Sequence, residues 1–257
     1  MKFNQYKPLI SVIQPVFNAA HCLERSIQSV VTQTYENIQY IIIDGGSTDG
    51  TLDIIRKYED KIDFWISRPD EGVYDAMNKG VEIANGDWLY FLGADDVLVN
   101  ILHRVVPCLR KINTVYYGDV YWPNQNRVYD GKFQWNKLMN KNICHQAIFY
   151  PREVFIYYRY DLAYFTCADY ALNLRLWGDR RFKFEYIPLL ICIFQDRAGK
   201  SRLEMDKKFQ KDKEYIVQLV FSNEMHRRNL RLFVQEVLVS VLNKLGIKDI
   251  VKRTLMQ

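Results

Sequence analysis

The amino-acid sequence predicts an α/β fold with a mostly parallel central sheet, flanking helices and a helical C-terminal tail. Short apolar runs alternate with segments of helical periodicity through the first hundred residues, which is the pattern of βαβ units. Of the 257 residues 49% are hydrophobic, which is enough to form a sizeable buried core. In such sheets ligands bind beyond the carboxyl ends of the strands, so polar residues at those ends are the first candidates for a functional site.

Four strands and three helices are predicted in the first hundred residues. The strands cover residues 9–14, 39–44, 62–67 and 88–92, and the helices cover residues 19–34, 51–58 and 73–84. Apolar side chains three or four positions apart mark each helix, and Asn85–Gly86 is a typical stop signal for the third. Three of the strands lead to polar positions, namely Asp44, Arg68 and the pair Asp95–Asp96.

The pattern changes after Val97. We expect a helix up to about residue 111, strands at 114–122 and 182–194 with a break at Pro188, a hairpin arm at 127–133, an apolar run at 147–150 and an amphipathic helix at 169–177. From residue 203 the pattern is helical, with a break near residues 222–223 and a strongly apolar segment at 237–245. No linker is long enough to require two independent domains, so two halves sharing one core are expected.

Positive charge is concentrated in the C-terminal part. From Arg197 onward 14 Lys and Arg face 7 Asp and Glu, a net charge of +7, and the preceding 196 residues sum to −2, which together give the +5 of the chain. A basic tail on a near-neutral body indicates an anionic partner. The usual nucleic-acid-binding motifs are absent, so we expect no nucleic acid; the phosphates of a membrane or of a lipid-linked substrate fit the charge.

The five cysteines are scattered, and none forms a Cys-x-x-Cys pair. This argues against a disulfide framework and a zinc cluster and favours reduced, mostly buried thiols. We recognise no signal peptide and no run of about 18 apolar residues that would span a membrane. A cytoplasmic protein is expected, with peripheral binding through the tail to the inner face of the cytoplasmic membrane as a further hypothesis.

Two adjacent carboxylates, Asp95 and Asp96, follow the fourth strand. Burying two like charges costs roughly several kcal/mol unless something neutralises them, and a hard divalent cation such as Mn²⁺ or Mg²⁺ prefers carboxylate oxygens. The alternative is that one of them caps the helix expected near Val97.

A glycine-rich turn, DGGSTDG, begins at Asp44 at the end of the second strand. Glycines let a ligand approach the backbone, and a carboxylate at a strand end can accept hydrogen bonds from a base or a ribose. The phosphate-loop and dinucleotide fingerprints are both absent. The alternative is a tight turn in which Ser47, Thr48 or Asp49 caps the next helix.

The segment from Ser67 to Gly80 is dense in polar groups for a passage from a strand to a helix. Asp75 and Lys79 share one helical face and could form no more than an exposed ion pair worth about half a kcal/mol. Arg68 could equally be a surface residue.

Four segments with recognisable motifs occur in order along the chain: PLISVIQPVFN (8–18), IIIDGGSTDGT (41–51), EGVYDAMNKG (71–80) and WLYFLGADD (88–96). Together they resemble inverting family 2 glycosyltransferases with the glycosyltransferase A fold. The resemblance is dense over residues 8–100 and continues as scattered motifs to about residue 202. It implies a catalytic domain over residues 1–202, with a nucleotide-sugar half (1–100) and an acceptor half (101–202), followed by a basic helical extension (203–257).

The resemblance also implies donor-binding residues. Pro15, Val16 and Phe17 would line the base, Asp44 would hydrogen-bond it as a uracil-reading carboxylate, and Arg68 would lie near the base or the diphosphate. Asp75 would support the donor sugar or the pocket floor. Asp95 would reach the ribose and the metal, and Asp96 would bind the metal. The chain departs from the family at Ala94, a donor-site position where a Ser or Asp is common, which leaves the role of Asp95 less defined.

An inverting transfer needs a general base to deprotonate the acceptor hydroxyl. The segment TCADYALNLRLW (166–177) resembles the family's base-bearing helix, which implies Asp169 as the base, although Ala168 stands where a second acid is common. A helix cap is the alternative for Asp169.

Two further segments resemble acceptor-side motifs. CHQAIF (144–149) implies that His145 and Gln146 lie beside the acceptor site, with a structural hydrogen-bonding role as the alternative for His145. RAGKSR (197–202) resembles a loop that closes over the donor, in which Lys200 and Arg202 would neutralise phosphate, or would simply be surface charges.

The sequence as a whole therefore predicts a metal-dependent inverting hexosyltransferase that uses a nucleotide-sugar donor, by preference a UDP-sugar. The expected acceptor is a sugar hydroxyl of a lipid-diphosphate-linked glycan in surface polysaccharide or O-antigen synthesis. A membrane surface and a second copy of the chain are candidate partners for the tail. The alternatives are a nucleotidyltransferase, which should show a basic glycine-rich loop after the first strand, and a non-catalytic nucleotide-sugar-binding protein.

Overall fold

The computed structural model describes residues 7–195 and 206–222. Within these ranges the centre is one sheet of nine strands: β1 (Ile10–Val16), β2 (Ile38–Asp44), β3 (Phe64–Ser67), β4 (Trp88–Phe91), β5 (Val97–Leu98), β6 (Thr114–Trp122), β7 (Arg127–Tyr129), β8 (Ile148–Pro151) and β9 (Lys183–Ile193). The strand order is β3-β2-β1-β4-β8-β6-β9-β5, and β7 pairs with β6. Strands β1 to β4 are parallel, whereas β8 is antiparallel to both β4 and β6. The predicted α/β architecture with a mostly parallel sheet is confirmed.

Helices lie around this sheet. They are α1 (Leu23–Val31), α2 (Thr51–Lys57), α3 (Val73–Ile83), α4 (Leu102–Val105), α5 (Trp135–Asn140), α6 (Val154–Tyr157), α7 (Ala168–Gly178) and α8 (residues 207–222). Helix α3 packs on β1, and Gly80 permits the close approach because any side chain there would collide with Ile13. A C-terminal helix is confirmed by α8; Lys200, Arg202 and the apolar segment 237–245 lie outside the described residues.

Strand β1 is buried along its whole length, as expected for a central parallel strand. Its one long polar side chain, Gln14, is fully buried and donates to the Ser26 hydroxyl at 2.6 Å and to the Gly93 carbonyl at 3.1 Å. The Tyr40 hydroxyl donates to Gln14 in turn. These bonds satisfy the buried amide and join β1, β2 and α1 to the turn that follows β4.

Aromatic side chains fill the junction between the parallel strands and the second half. Trp88, Tyr90, Phe91, Phe149 and Tyr150 are all fully buried, and the rings of Tyr90 and Phe149 stack at 5.0 Å. Burying each such side chain contributes roughly 1.5–3 kcal/mol, so this packing holds β4 firmly beside β8. The functional groups that follow these strands therefore sit on a rigid frame.

The prediction that a helix begins near Val97 is wrong. Val97–Leu98 forms β5, which pairs antiparallel with Ile193 and Cys192 of β9, and helical structure begins only at Leu102. The branched side chain of Val97 suits a strand, and the edge of β9 supplies its backbone partners. A single turn of 3₁₀ helix at Val106–Cys108 ends this helical part.

The strand break expected at Pro188 is a bulge. Strand β9 continues through it, and the register with β6 shifts between the pairs Tyr117–Tyr186 and Asp119–Leu190, on either side of the proline. Proline has no N–H to donate, and an irregular register tolerates that loss. The five cysteines have free thiols, as predicted, but only Cys192 is buried and the other four are half-buried, so the expectation of mostly buried thiols is wrong. Among the described helices none is long and apolar enough to cross a bilayer.

Candidate active site

The loop after β2 is organised by Asp44, which is 0% exposed. Oδ2 of Asp44 accepts hydrogen bonds from the Gly46 and Ser47 amides at 3.0 and 2.9 Å and from the Ser67 hydroxyl at 2.6 Å. Oδ1 accepts from the Ser47 hydroxyl at 2.5 Å. Asp44 therefore binds the glycine-rich turn and the end of β3 together.

The end of β1 is joined to the same loop. The Gly45 amide donates to the Val16 carbonyl at 2.9 Å, and the Asn18 amide donates to the Ser47 hydroxyl at 2.7 Å. Of the three residues predicted to line the base, Pro15 and Val16 are buried in the strand, and Phe17 is 54% exposed. Phe17 thus presents the accessible aromatic surface of this group.

Helix capping in this loop does not take the form considered from the sequence. The N-cap of α2 is Gly50, and no side chain caps it. Asp49 instead accepts from the Thr51 amide and hydroxyl just inside the helix, at 3.1 and 2.5 Å.

The loop between β3 and α3 carries Arg68, which is exposed, and leads to Asp75 in the first turn of α3. Asp75 pairs with Lys79 at 2.8 Å, and its Oδ2 also accepts from the Glu71 amide at 3.0 Å. Burial acts to raise the pKa of Asp75, but the hydrogen bonds from Lys79 and Glu71 outweigh it, so the pKa lies below its ordinary value. The ion pair considered from the sequence is present, and it also holds the loop in front of the helix.

Asp95 and Asp96 lie in the turn between β4 and β5, so neither caps a helix. Asp96 is 1% exposed, and its carboxylate accepts from the Gln146 side-chain amide at 2.8 Å and from the Gln195 backbone amide at 2.9 Å. Asp95 is half-buried, and its carbonyl accepts from Arg25 at 3.2 Å. Ala94, between Gly93 and Asp95, is half-buried.

Negative charge at this turn is incompletely balanced. Burial, and after it the charge of Asp95, raises the pKa of Asp96 to about 7. Burial also raises the pKa of Asp95, although His21 and Arg25 act against that rise. Both groups that donate to the Asp96 carboxylate are neutral. Such a pair of carboxylates fits a hard divalent cation.

In the described part of the chain, no group of three or more His, Cys, Asp and Glu is arranged to hold a metal. A cation bound by Asp95 and Asp96 would therefore complete its coordination with water and with ligand oxygens, as hard cations commonly do beside phosphate groups.

Asp169 lies in the first turn of α7 and is 7% exposed; the N-cap of that helix is Cys167. Its Oδ1 accepts from the Tyr74 hydroxyl at 2.9 Å and from the Tyr170 amide at 2.8 Å. Its Oδ2 accepts from the side-chain amide of Asn142 at 2.9 Å and is 3.0 Å from Nδ1 of His145. Asp169 is therefore not the N-cap of α7. His145 has the structural hydrogen-bonding contact considered as its alternative role, and its partner is Asp169.

One short turn links the two acids. In the 3₁₀ turn His145–Ala147, His145 contacts Asp169 and Gln146 donates to Asp96. The Gln146 carbonyl accepts from the buried Tyr90 hydroxyl at 2.8 Å, which fixes the turn to β4. The structure thus brings Asp96, Gln146, His145 and Asp169 together, whereas Asp44, Phe17 and Arg68 belong to the ends of β1 to β3.

Several residues of these sites were not found from the sequence. Tyr74 and Asn142 hold Asp169 across 95 and 27 positions of chain, and Arg25 reaches Asp95 across 70. Contacts of that range leave no local pattern. Gln14 did leave one, because a polar residue interrupts an otherwise apolar strand.

Comparisons with known proteins agree with this arrangement. The model of the family described as glycosyl transferase family 2 matches residues 11–193, well over half of the chain. A "PGL/p-HBAD biosynthesis glycosyltransferase" from Mycobacterium bovis is 38% identical over 213 residues, covering 79% of this chain and 83% of that protein. An "uncharacterized glycosyltransferase" from Haemophilus influenzae is 42% identical over 96 residues, covering 36% of this chain and 38% of that protein.

Solved structures share the fold at low sequence identity. Residues 1–349 of S. aureus TarS, in complex with UDP-GlcNAc, match with a TM-score of 0.62 and 14% identity over 77% of this chain and 61% of that one. The mannosyltransferase PcManGT from Pyrobaculum calidifontis, in complex with GDP-Man and Mn²⁺, matches with a TM-score of 0.61 and 16% identity over 86% and 65%. The chain spans less than two thirds of the length of these structures, and only 36% of a longer TarS chain.

The order of the elements, the acids at the strand ends and these matches agree with one another. The predicted resemblance and the glycosyltransferase A fold are confirmed. The chain belongs to glycosyl transferase family 2 and is a glycosyltransferase.

Proposed function

We propose that the protein is an inverting, metal-dependent hexosyltransferase that moves a sugar from a UDP-sugar to a sugar hydroxyl. The acceptor is a glycan carried on a lipid diphosphate, as in the synthesis of surface polysaccharide or O-antigen. The donor class is supported by neighbours of the same fold whose structures hold UDP-GlcNAc or GDP-Man. One of these also holds Mn²⁺, which supports the choice of metal.

The single observation that carries this proposal is the turn His145–Ala147. It contacts Asp169 through His145 and Asp96 through Gln146, at 3.0 and 2.8 Å. A displacement at an anomeric carbon needs a base on the attacking side and charge neutralisation on the leaving side. Asp169 and Asp96 are suited to these two tasks, and the turn holds them in fixed relation.

In the proposed reaction, Asp169 accepts the proton of the acceptor hydroxyl as that oxygen attacks the anomeric carbon. The bond from this carbon to the donor diphosphate breaks, UDP leaves with the electron pair, and the configuration is inverted. Asp96 and Asp95 would hold a divalent cation, which would supply positive charge for the leaving diphosphate. His145, the exposed edge of the Asp169 cluster with 19% side-chain exposure, is where the acceptor would enter.

The remaining predicted residues complete the donor side. Phe17 would stack on the base beside Pro15 and Val16, and Asp44 would serve the base by holding its loop in shape. Arg68 would approach the diphosphate, Asp75 would support the pocket floor and Ala94 would line the donor site. Lys200 and Arg202, which lie outside the described residues, are proposed to neutralise the phosphates of the donor.

The basic tail is proposed to act at an anionic surface. Peripheral docking on the inner face of the cytoplasmic membrane would place a cytoplasmic enzyme next to a lipid-diphosphate acceptor. The alternative hypothesis is that the tail joins two copies of the chain into a dimer. Sedimentation with anionic liposomes, before and after removal of residues 223–257, separates the two, because docking requires that the truncated protein stay in the supernatant.

The test is a donor panel with a lipid-diphosphate glycan acceptor, with and without Mn²⁺ or Mg²⁺, applied to the wild type and to Asp169→Asn. We expect transfer from a UDP-hexose only with metal, and a loss of roughly 10²–10⁴-fold in kcat for Asp169→Asn. UDP binding should stay within about twofold. Asp161→Asn, an equal charge change at a half-exposed acid, is the control and should transfer normally.

Each alternative predicts a different result in the same assay. A nucleotidyltransferase would release pyrophosphate and form a nucleotide-sugar, and a non-catalytic binding protein would bind the donor without transfer. If Asp169→Asn transfers sugar at the wild-type rate, Asp169 is not the base.

A further inference from the structure

The sequence assigns contact with the nucleotide base to the carboxylate of Asp44, but the surroundings of Asp44 in the structure favour a different residue. All four hydrogen bonds to Asp44 come from its own loop and from Ser67, and the side chain is 0% exposed. Oδ2 accepts three of these bonds and Oδ1 accepts one, and because the side chain is fully buried neither oxygen of Asp44 is accessible to a ligand. Some other group must contact the base directly.

A second carboxylate stands next to this loop. A Cβ added at Gly45 would lie 2.7 Å from Oδ2 and 3.1 Å from Oδ1 of Asp70, so the Asp70 carboxylate fills the space where a side chain at position 45 would be. The Gly45 amide is bonded to the Val16 carbonyl at 2.9 Å. The Asp70 carboxylate therefore lies beside the end of β1, where the exposed ring of Phe17 follows.

The two oxygens of Asp70 are used unequally. Oδ1 accepts from the Gly72 amide at 2.9 Å, whereas Oδ2 accepts no hydrogen bond from any residue that the structure describes. Asp70 is half-buried, unlike Asp44. A partly desolvated carboxylate with one open oxygen is suited to accept an N–H from a ligand.

The loop that carries Asp70 is held in place before any ligand binds. Gly72 adopts a φ of +116°, a conformation that favours glycine. Asp75 accepts from the Glu71 amide and is itself paired with Lys79. A contact group positioned in advance loses little freedom on binding, so its hydrogen bond contributes more fully to affinity.

We propose that Asp70 is the residue that reads the nucleobase, while Asp44 builds the loop behind it. This rests on the proposed function, because it presupposes a nucleotide-sugar donor. A carboxylate only accepts hydrogen bonds, so it selects a base that presents an N–H on its pairing edge, such as uracil or guanine. It disfavours cytosine, whose ring nitrogen at that edge is itself an acceptor.

The experiment measures the binding of UDP, GDP and CDP, each with Mn²⁺, to the full chain by calorimetry. The wild type should bind UDP or GDP at least about tenfold more tightly than CDP. Asp70→Asn should weaken the preferred nucleotide by roughly 10–100-fold, the usual range for a hydrogen bond to a charged group, and change CDP by less than about twofold. Asp60→Asn removes the same charge from an exposed position in the turn before β3 and should change nothing.

Asp70→Ser is the second variant, because its hydroxyl can keep the turn to Gly72 without a carboxylate. Melting curves establish that each variant is folded. Equal weakening of UDP and CDP, or no weakening in either variant, overturns the role of Asp70. If the wild type transfers sugar while both variants keep full selectivity, only this inference fails. If the wild type binds no nucleoside diphosphate and transfers no sugar, the proposed function fails with it.

Discussion

The ends of β2 and β4 each carry a buried aspartate, but the two are held in different ways. Asp44 is 0% exposed and Asp96 is 1% exposed. Asp44 receives four hydrogen bonds from its surroundings, whereas Asp96 receives two from neutral donors and has a second acid next to it in sequence. Burial alone therefore does not identify an acid that acts on a ligand.

The two sites differ in how far their surroundings compensate the negative charge of the buried carboxylate. At the end of β2, amides and hydroxyls offset the cost of burying the Asp44 carboxylate. At the end of β4, the charge of Asp96 is opposed by burial and by Asp95, and the pKa of Asp96 rises to about 7. The first arrangement suits a structural acid and the second a cation site. Three substitutions, one of them measured in two ways, test this contrast.

The largest effect is expected for Asp96→Asn. Loss of the proposed cation ligand should lower kcat for sugar transfer by roughly 10²-fold or more, because the leaving diphosphate loses its neutralising charge. The measurement is transfer at saturating Mn²⁺, with Asp87→Asn, an exposed acid at the other end of β4, as the control. Near-normal sugar transfer by Asp96→Asn would show that the acid after β4 does not bind a required cation and so does not differ in this way from Asp44.

The same variant should be more stable than the wild type at neutral pH without metal. The folded-state pKa of Asp96 is raised from an ordinary 3.8 to about 7, so the stability that the protonated group contributes is complete below pH 4 and is lost as the pH rises through 7. The difference in unfolding free energy should grow to roughly 1–4 kcal/mol by pH 8. Melting curves from pH 5 to 8.5 measure it, and a difference independent of pH would contradict the expectation.

Asp44→Asn should act in the opposite direction. Its amide group would face the donors of Ser47 and Gly46, and the resulting unpaired groups should cost roughly 1–3 kcal/mol of stability. Chemical denaturation at neutral pH measures the loss. Donor selectivity should change little in the fraction that remains folded. A variant as stable as the wild type would show that the loop is not held by Asp44.

The smallest effect is expected for Lys79→Gln. The ion pair with Asp75 is 39% exposed on the lysine side, so its loss should cost no more than about 0.5 kcal/mol. Affinity for UDP should fall by about twofold or less through the loosened Glu71–Gly72 loop. A tenfold loss of UDP affinity would mean that Lys79 contacts the donor directly.

The donor half could be predicted from the sequence in considerable detail. Apolar runs placed β1 to β4 within a few residues, because these strands are largely apolar and each is followed by a polar turn. Family motifs then supplied the candidate site residues. The start of β5 could not be predicted, since Val97 pairs with Ile193 across 96 positions of chain.

In the acceptor half, local sequence patterns did not predict the contacts between side chains that are distant in the chain. A motif predicted Asp169 as the base, which stays a prediction, but the partners of Asp169, Tyr74 and Asn142, lie on distant segments that only folding brings together. Asp70 was passed over for the same reason, because its position beside Gly45 depends on how two loops meet. Side-chain environment, unlike secondary structure, is a property of non-neighbouring residues.

The His145–Ala147 turn works as a spacer of fixed length. The hydroxyl of Tyr90 anchors it to β4, while its first two side chains reach Asp169 and Asp96. If these roles hold, neighbouring loops can be remodelled for another acceptor without changing the distance between the proposed base Asp169 and the proposed cation ligand Asp96. Engineering of acceptor choice in this enzyme should begin in those loops and leave the spacer intact.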